Sequence, residues 1–154
     1  MRLWHYQLIP HLPRMQLIGQ WRECSSILGS MIKYNTPKHL LVDKIMDYPI
    51  SNFKVYSELI ATEMLNRGYK PNVKQFKDKL NNYITANNID TSDYNNDINI
   101  FLGWHNDIYL RECLYNLEEK FMCGGIEEAD WFKIYKHFNH ITPLYYKEEL
   151  AYVQ

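Results

Sequence analysis

An all-α fold is the architecture this sequence predicts: a compact single-domain helical bundle over residues 1–154, with an extended N-terminal arm inserted near the first helix. Three observations predict it. Apolar residues recur at helical spacing in successive segments of the chain. No apolar–polar alternation lasts long enough to suggest a sheet. The turn formers, Gly68, Gly124-Gly125 and an Asp/Asn-rich stretch after residue 89, fall between the periodic segments. A chain of 154 residues fits one domain with one sizeable core.

Residues 1–12 read as an extended or irregular arm, interrupted by Pro10. Pro13 is suited to open a helix, because its fixed φ matches the first turn. From Arg14 to about Met31, Leu17, Trp21, Cys24, Leu28 and Met31 form an apolar stripe. Residues 33–51 read as a loop holding a short apolar segment. A second helix is expected from Ser51 or Asn52 to Arg67, with Phe53, Tyr56, Leu59, Ile60, Met64 and Leu65 apolar and Gly68 as its stop. A third, basic helix starts near Asn72 and ends before residue 87. The stretch DTSDYNNDINI is a loop. A long helix runs from about Asn106 to Met122, with Ile108, Leu110, Cys113, Leu114, Leu117 and Phe121 apolar. A fifth runs from Glu127 to about Phe138, followed by a shorter terminal segment.

Composition removes several classes of function. No stretch approaches the roughly 20 apolar residues that span a bilayer. The first residues contain two prolines and no small-residue cleavage site, so a signal peptide is not expected. Cys24, Cys113 and Cys123 form no CxxC pair, and an odd, sparse count suits reduced thiols. These features predict a cytoplasmic or nucleoid-associated monomer. The net charge of −1 hides an asymmetry: residues 1–80 carry 12 Lys/Arg against 6 Asp/Glu, and residues 81–154 carry 5 against 12. A basic half can meet a polyanion, although halves of a sequence need not be halves in space. The 13 Tyr and 4 Trp serve equally to fill a core or to stack on bases.

One carboxylate stands out on the first helix. Opposite its apolar stripe lie Met15, Gly19, Glu23, Ser26 and Ser30, small or polar apart from Met15. Such a low face lets a ligand approach Glu23, and equally describes a solvated face with an incidental Glu. His137 and His140 are three apart and His5 and His11 lie in the arm, but no cysteine pairs with them and no HExxH occurs. No metal or cofactor is expected. Cys24 lies on the apolar stripe, which favours burial over nucleophilic work.

The segment L-I-P-x-L-P-R-x-Q-L-x-G-Q-x-R-E-C, from Leu8 to Cys24, resembles the opening of the pyrimidine-dimer DNA glycosylase family, the group of phage endonuclease V. NFKVYSELIATEMLNRGYK resembles that family's second long helix, HNDIYLRECLYNLEEK its last, and WFKIY its aromatic tail; residues 71–100 match worst. The resemblance implies cleavage of a glycosidic bond at ultraviolet-induced dimers in double-stranded DNA, then a backbone nick by β-elimination. It implies two chemical groups: the α-amine of the first residue, forming an imine at deoxyribose C1′, and the Glu of the R-E pair, here Glu23. Arg2 and Arg22 match positions that hold DNA near the reacting sugar, and Arg14 adds a further phosphate contact. Trp131, Phe132 and Tyr135 either touch the lesion strand or pack the tail onto the core.

Elementary chemistry agrees with a chain-end nucleophile. An imine-forming amine must be unprotonated, and at pH 7 a typical α-amine is neutral roughly 200-fold more often than a lysine. Residue 2 is Arg, too large for ordinary initiator removal, so Met1 is expected to stay and supply the amine. Ser25 and Ser26 stand where the family pattern has a further arginine, and Lys33 or Lys38 is the expected replacement. The alternatives are a same-fold lyase for another modified base, a non-catalytic DNA-binding protein, and a metal-dependent nuclease.

Overall fold

The computed structural model describes residues 1–94 and 99–144. Five α-helices carry the fold: α1 (Arg14–Tyr34), α2 (Ile50–Asn66), α3 (Val73–Ala86), α4 (Asp107–Met122) and α5 (Glu128–Phe138). No strand occurs among the described residues. Helix α1 packs on α2 and α3, and α5 packs on α4. The terminal segment expected after Phe138 falls, beyond Leu144, outside the described residues.

The helix ends follow local chemistry. Asn72 and Asn106 are N-caps, their side-chain oxygens accepting the Gln75 N–H at 3.2 Å and the Tyr109 N–H at 2.9 Å. Gly68 ends α2 at φ 82°, with its own N–H on Leu65 O and the Tyr69 N–H on Met64 O, the paired bonds of a Schellman stop. Gly124 does the same for α4 at φ 79°. Helix α1 runs three residues past Met31 and stops at Asn35, which takes φ 58°.

The core takes Leu17, Cys24, Leu28 and Met31 from α1, Phe53, Tyr56, Ile60 and Met64 from α2, and Leu110, Cys113, Leu114 and Leu117 from α4. Three residues expected on apolar stripes are instead exposed: Leu59, Leu65 and Ile108. At about 100° per residue each lies more than about 100° around its helix from the centre of the buried face.

The arm departs from the extended form expected for it. Tyr6–His11 wind into a 3-10 helix lying on α2 and α5. His5 caps it through Nδ1, which accepts the Gln7 N–H at 3.2 Å, and Pro10 fits because its φ suits a tight helical turn. Leu3, Trp4, Leu8, Ile9 and Leu12 are all buried, so the arm belongs to the core.

Candidate active site at the N-terminus

Burying an arm strands its backbone polar groups away from water, and each needs a partner. The partners come from four different places in the chain. Tyr109 of α4 donates its hydroxyl to Leu3 O. The Trp4 N–H donates to Gln20 Oε1 of α1 at 2.8 Å. The Tyr56 hydroxyl of α2 lies 2.7 Å from Trp4 O and 3.1 Å from Gln20 Oε1, with one proton to share between them. The Tyr6 N–H donates to His105 Nδ1 at 3.2 Å. Farther along, the Arg67 guanidinium donates to Leu12 O at 2.7 Å and Pro10 O at 3.1 Å while paired with Glu63 at 2.7 Å.

This clamp fixes the chain end beside Glu23. The Arg2 N–H donates to Glu23 Oε2 at 3.2 Å, and Gln20 Nε2 donates to the same oxygen at 3.3 Å. Gln20 therefore spans the site: one end of its amide holds the arm and the other holds the carboxylate. The backbone bonds between adjacent nitrogens add at most about 3.7 Å, so the Met1 nitrogen lies within about 7 Å of Glu23 Oε2. Met1 is exposed and Glu23 half-buried. A side chain built at Gly19, one turn away, would meet nothing within 4 Å, so the helix face beside Glu23 is open.

Burial sets the protonation of the clamp. It pushes the Tyr56 and Tyr109 phenols up, keeping both as donors. It pulls His105 down to about 3, with neighbouring His5 adding to the effect, so the imidazole is neutral and can accept at Nδ1. Burial first, and the charge of Glu23 second, push the Cys24 thiol up, which removes it as a thiolate nucleophile.

The cations expected to hold DNA fall into separate groups. Arg2 is half-buried, its guanidinium 5.7 Å from the centre of the Trp4 ring. Arg22 is exposed and lines a groove of about 300 Å³ between α1 and α3, with Asn72, Gln75 and Lys79. Lys33 and Lys38 converge on the Tyr34 ring, 5.0 and 3.6 Å from its centre. Arg14 stands apart. At about 100° per residue it lies about half a turn around α1 from Glu23, above Tyr69 and in a separate pocket with His11, Arg67 and Lys133.

The aromatic tail is resolved in favour of packing for two of its three rings. Trp131 is fully buried and stacked on Phe121, ring centres 5.2 Å apart, so it does not reach a DNA strand. Tyr135 is half-buried against the core, and Phe132 alone is exposed.

The family model described as pyrimidine dimer DNA glycosylase matches residues 1–77, half of the chain, and it contains Met1, Glu23, Gln20 and Tyr56. The chain belongs to the pyrimidine dimer DNA glycosylase family. No curated protein and no solved structure matches it. Helices α4 and α5 lie beyond the matched residues, yet α4 supplies the family-like site with Tyr109, which holds Leu3.

The sequence placed Tyr56 on the apolar stripe of the second helix and Arg67 at its end, and pointed to neither of them, nor to Gln20, Tyr109 or His105, as part of the site. Gln20 had a usable signal, since it stands three residues before Glu23 and so shares its helix face. The others are tertiary partners at separations of 52 to 106 residues, which no local pattern reveals.

Proposed function

We propose that this chain is a DNA glycosylase with AP-lyase activity on ultraviolet-induced pyrimidine dimers, and that it works through an imine with the α-amine of Met1. The observation that carries this reading is the Arg2 N–H on Glu23 Oε2, which ties the first peptide to the one carboxylate of the open helix face.

In this reading the Met1 nitrogen lone pair attacks C1′ of the damaged nucleotide. The glycosidic bond breaks, and the base leaves C1′ with the bonding electron pair, takes a proton from water and stays joined to its neighbour through the dimer. The nitrogen then gives one proton to the ring oxygen, whose bond to C1′ breaks to leave a C4′ hydroxyl, and the nitrogen lone pair closes a protonated imine. Glu23 stabilises the positive charge and accepts the C2′ proton. The C2′–H electrons form a double bond and expel the 3′ phosphate oxygen, which nicks the strand. Arg22, Lys33 and Lys38 grip phosphates along α1, and Arg2 steadies the arm over Trp4. Arg14, across the helix, adds to the field around the site. The substrate is double-stranded damaged DNA and the chain acts as a monomer without a metal.

The test is borohydride trapping of untagged protein on irradiated duplex DNA, after mass spectrometry has established that Met1 begins the chain. A covalent adduct that disappears on blocking the α-amine supports the reading. No adduct on irradiated or abasic DNA overturns the imine.

A further inference from the structure

Beyond the C-terminus of α1 the chain makes a tight knob over residues 35–42. Asn35 and Lys38 both take left-handed backbone, φ 58° and 56°. Asp43 ties the knob from below, its Oδ1 accepting the His39 N–H at 2.9 Å and the Thr36 hydroxyl at 3.4 Å. The Val42 and Asp43 N–H groups return to His39 O at 2.9 and 2.8 Å. Pro37 and Val42 are buried at its two feet. From this braced turn Leu40 projects at 93% exposure and Leu41 at 55%. A leucine held so far into solvent by so many local bonds is not there to fill the core.

Two lysines stand at its base, with the Asp43 carboxylate occupied by the knob's own backbone. Lys38 Nζ sits 3.6 Å from the centre of the Tyr34 ring and Lys33 Nζ sits 5.0 Å from it. Tyr34 comes eleven residues after Glu23, about three turns, about 16 Å along the axis and about 20° around it. Tyr34, on whose ring the knob's Lys38 rests, therefore lies on the same face of α1 as the carboxylate. That offset equals about five base-pair steps at 3.4 Å each. A small apolar tip flanked by lysines is what a duplex accepts when a side chain unstacks one base step and cations hold the adjoining phosphates.

We propose that Leu40 is a wedge that enters the base stack about five base pairs from the reacting sugar, with Lys33 and Lys38 on the flanking phosphates. The proposal rests on the DNA-repair reading above. It gives the enzyme a second hold on the duplex, away from the site of bond cleavage.

The experiment uses the full chain and a duplex carrying a tetrahydrofuran abasic analogue, with 2-aminopurine moved step by step along each side of it. Unstacking raises 2-aminopurine fluorescence. Wild-type protein should raise it at one step, about five base pairs from the analogue. Leu40→Ser should remove the rise and weaken binding about tenfold, the affinity that burying a leucine side chain supplies. Leu102→Ser, 72% exposed and outside the knob, should leave both unchanged. Thermal melts should be alike for the three proteins, since both leucines face solvent. Equal fluorescence and affinity for Leu40→Ser and wild type would overturn the wedge. So would a change of oligomeric state with unaltered DNA binding, which would make the knob a protein-docking surface. Borohydride trapping on abasic duplex, run in parallel, separates the failures. Trapping without any fluorescence rise overturns the wedge alone, and the absence of both trapping and binding overturns the DNA-repair reading with it.

Discussion

Replacing Gln20 by Leu tests whether the buried clamp positions the chemistry or merely stabilises the arm. Gln20 is 1% exposed, and its amide accepts the Trp4 N–H while donating to Glu23. Leucine keeps much of the volume and removes both functions. The Trp4 N–H is then left without its acceptor in a buried place, at a cost of about 1–3 kcal/mol. The Tyr56 hydroxyl retains Trp4 O and adds little to that cost. For a chain of this size, a loss of about 2 kcal/mol lowers Tm by about 4–8 °C. Activity should fall further than stability accounts for. A misplacement of about 1 Å can cost about 100-fold in rate, so borohydride trapping by still-folded protein should slow at least tenfold. Tyr56→Phe is the companion: it spares the Trp4–Gln20 bond, so it should cost about 1 kcal/mol and slow trapping less. Two results would refute the reasoning. Wild-type trapping with reduced Tm would make Gln20 a structural residue only. An unchanged Tm would mean that the Trp4 N–H finds another acceptor.

Four further outcomes follow from the same geometry. Glu23→Gln should retain DNA binding but lower single-turnover strand cleavage by at least about 100-fold, the range expected for removing a general base, in a gel assay on abasic duplex. One residue added before Met1, or acetylation of its amine, should abolish the trapped adduct while leaving the circular dichroism spectrum and Tm unchanged. Arg22→Ala, Lys33→Ala and Lys38→Ala should each reduce the slope of log K against log salt by about 0.9, and Arg14→Ala should reduce it less, as titrations of binding at several salt concentrations would show. His105 binds a proton only below about 3 when folded, against an ordinary 6.5. The unfolded chain therefore binds more protons between those values, so stability is full above about pH 6.5 and falls as pH drops, by about 2 kcal/mol at pH 5. Urea denaturation from pH 7 to 5 reads the combined dependence, to which burial of His5 and His11 adds in the same direction, and His105→Gln, which keeps an acceptor for the Tyr6 N–H, should reduce it.

Local patterns carried the helices and their ends. The apolar stripe of α1, the Asn caps at 72 and 106 and the glycine stops at 68 and 124 are each set by residues within a turn or two. The N-terminal 3-10 helix was not legible, because six residues give too little periodicity and its support comes from α2 and α5. The site was half legible. Glu23 and its neighbouring arginine lie in one continuous motif, but pattern alone could not distinguish that carboxylate from any solvated Glu. The proximity of chain end and carboxylate is tertiary, fixed by Tyr56, Tyr109 and His105 from elsewhere in the sequence. Trp131 stayed open in the sequence because an amphipathic aromatic run looks the same whether its rings face DNA or face Phe121.

The proposed chain-end nucleophile poses a physical difficulty that this arrangement would answer. Free termini fray unless something ties them down, and a fraying amine samples too much space to meet one sugar carbon reliably. Here the anchor is set as close to the end as the chemistry allows. Leu3 is fully buried, with its carbonyl on Tyr109, and Trp4 is held on both sides of its peptide. That leaves Met1 and Arg2 to move, and Arg2 is itself tied to Glu23 through its N–H. In the proposed mechanism the α-amine keeps rotation about a few bonds, enough to follow a sugar carbon from attack to imine, while its distance from Glu23 stays bounded by covalent geometry. Moving the anchor outward by loosening Leu3 or Trp4 should therefore damage imine formation more than DNA binding, because phosphate contacts along α1 do not depend on the arm. Tyr109→Phe frees Leu3 O and removes the hydroxyl's hydrogen bond with Arg2, while Arg22, Lys33 and Lys38 keep their surroundings. Its trapping rate should fall while its affinity for an abasic-analogue duplex stays within about twofold, a change of under 0.5 kcal/mol. Parallel losses of affinity and rate would show instead that the arm is part of the DNA-binding surface.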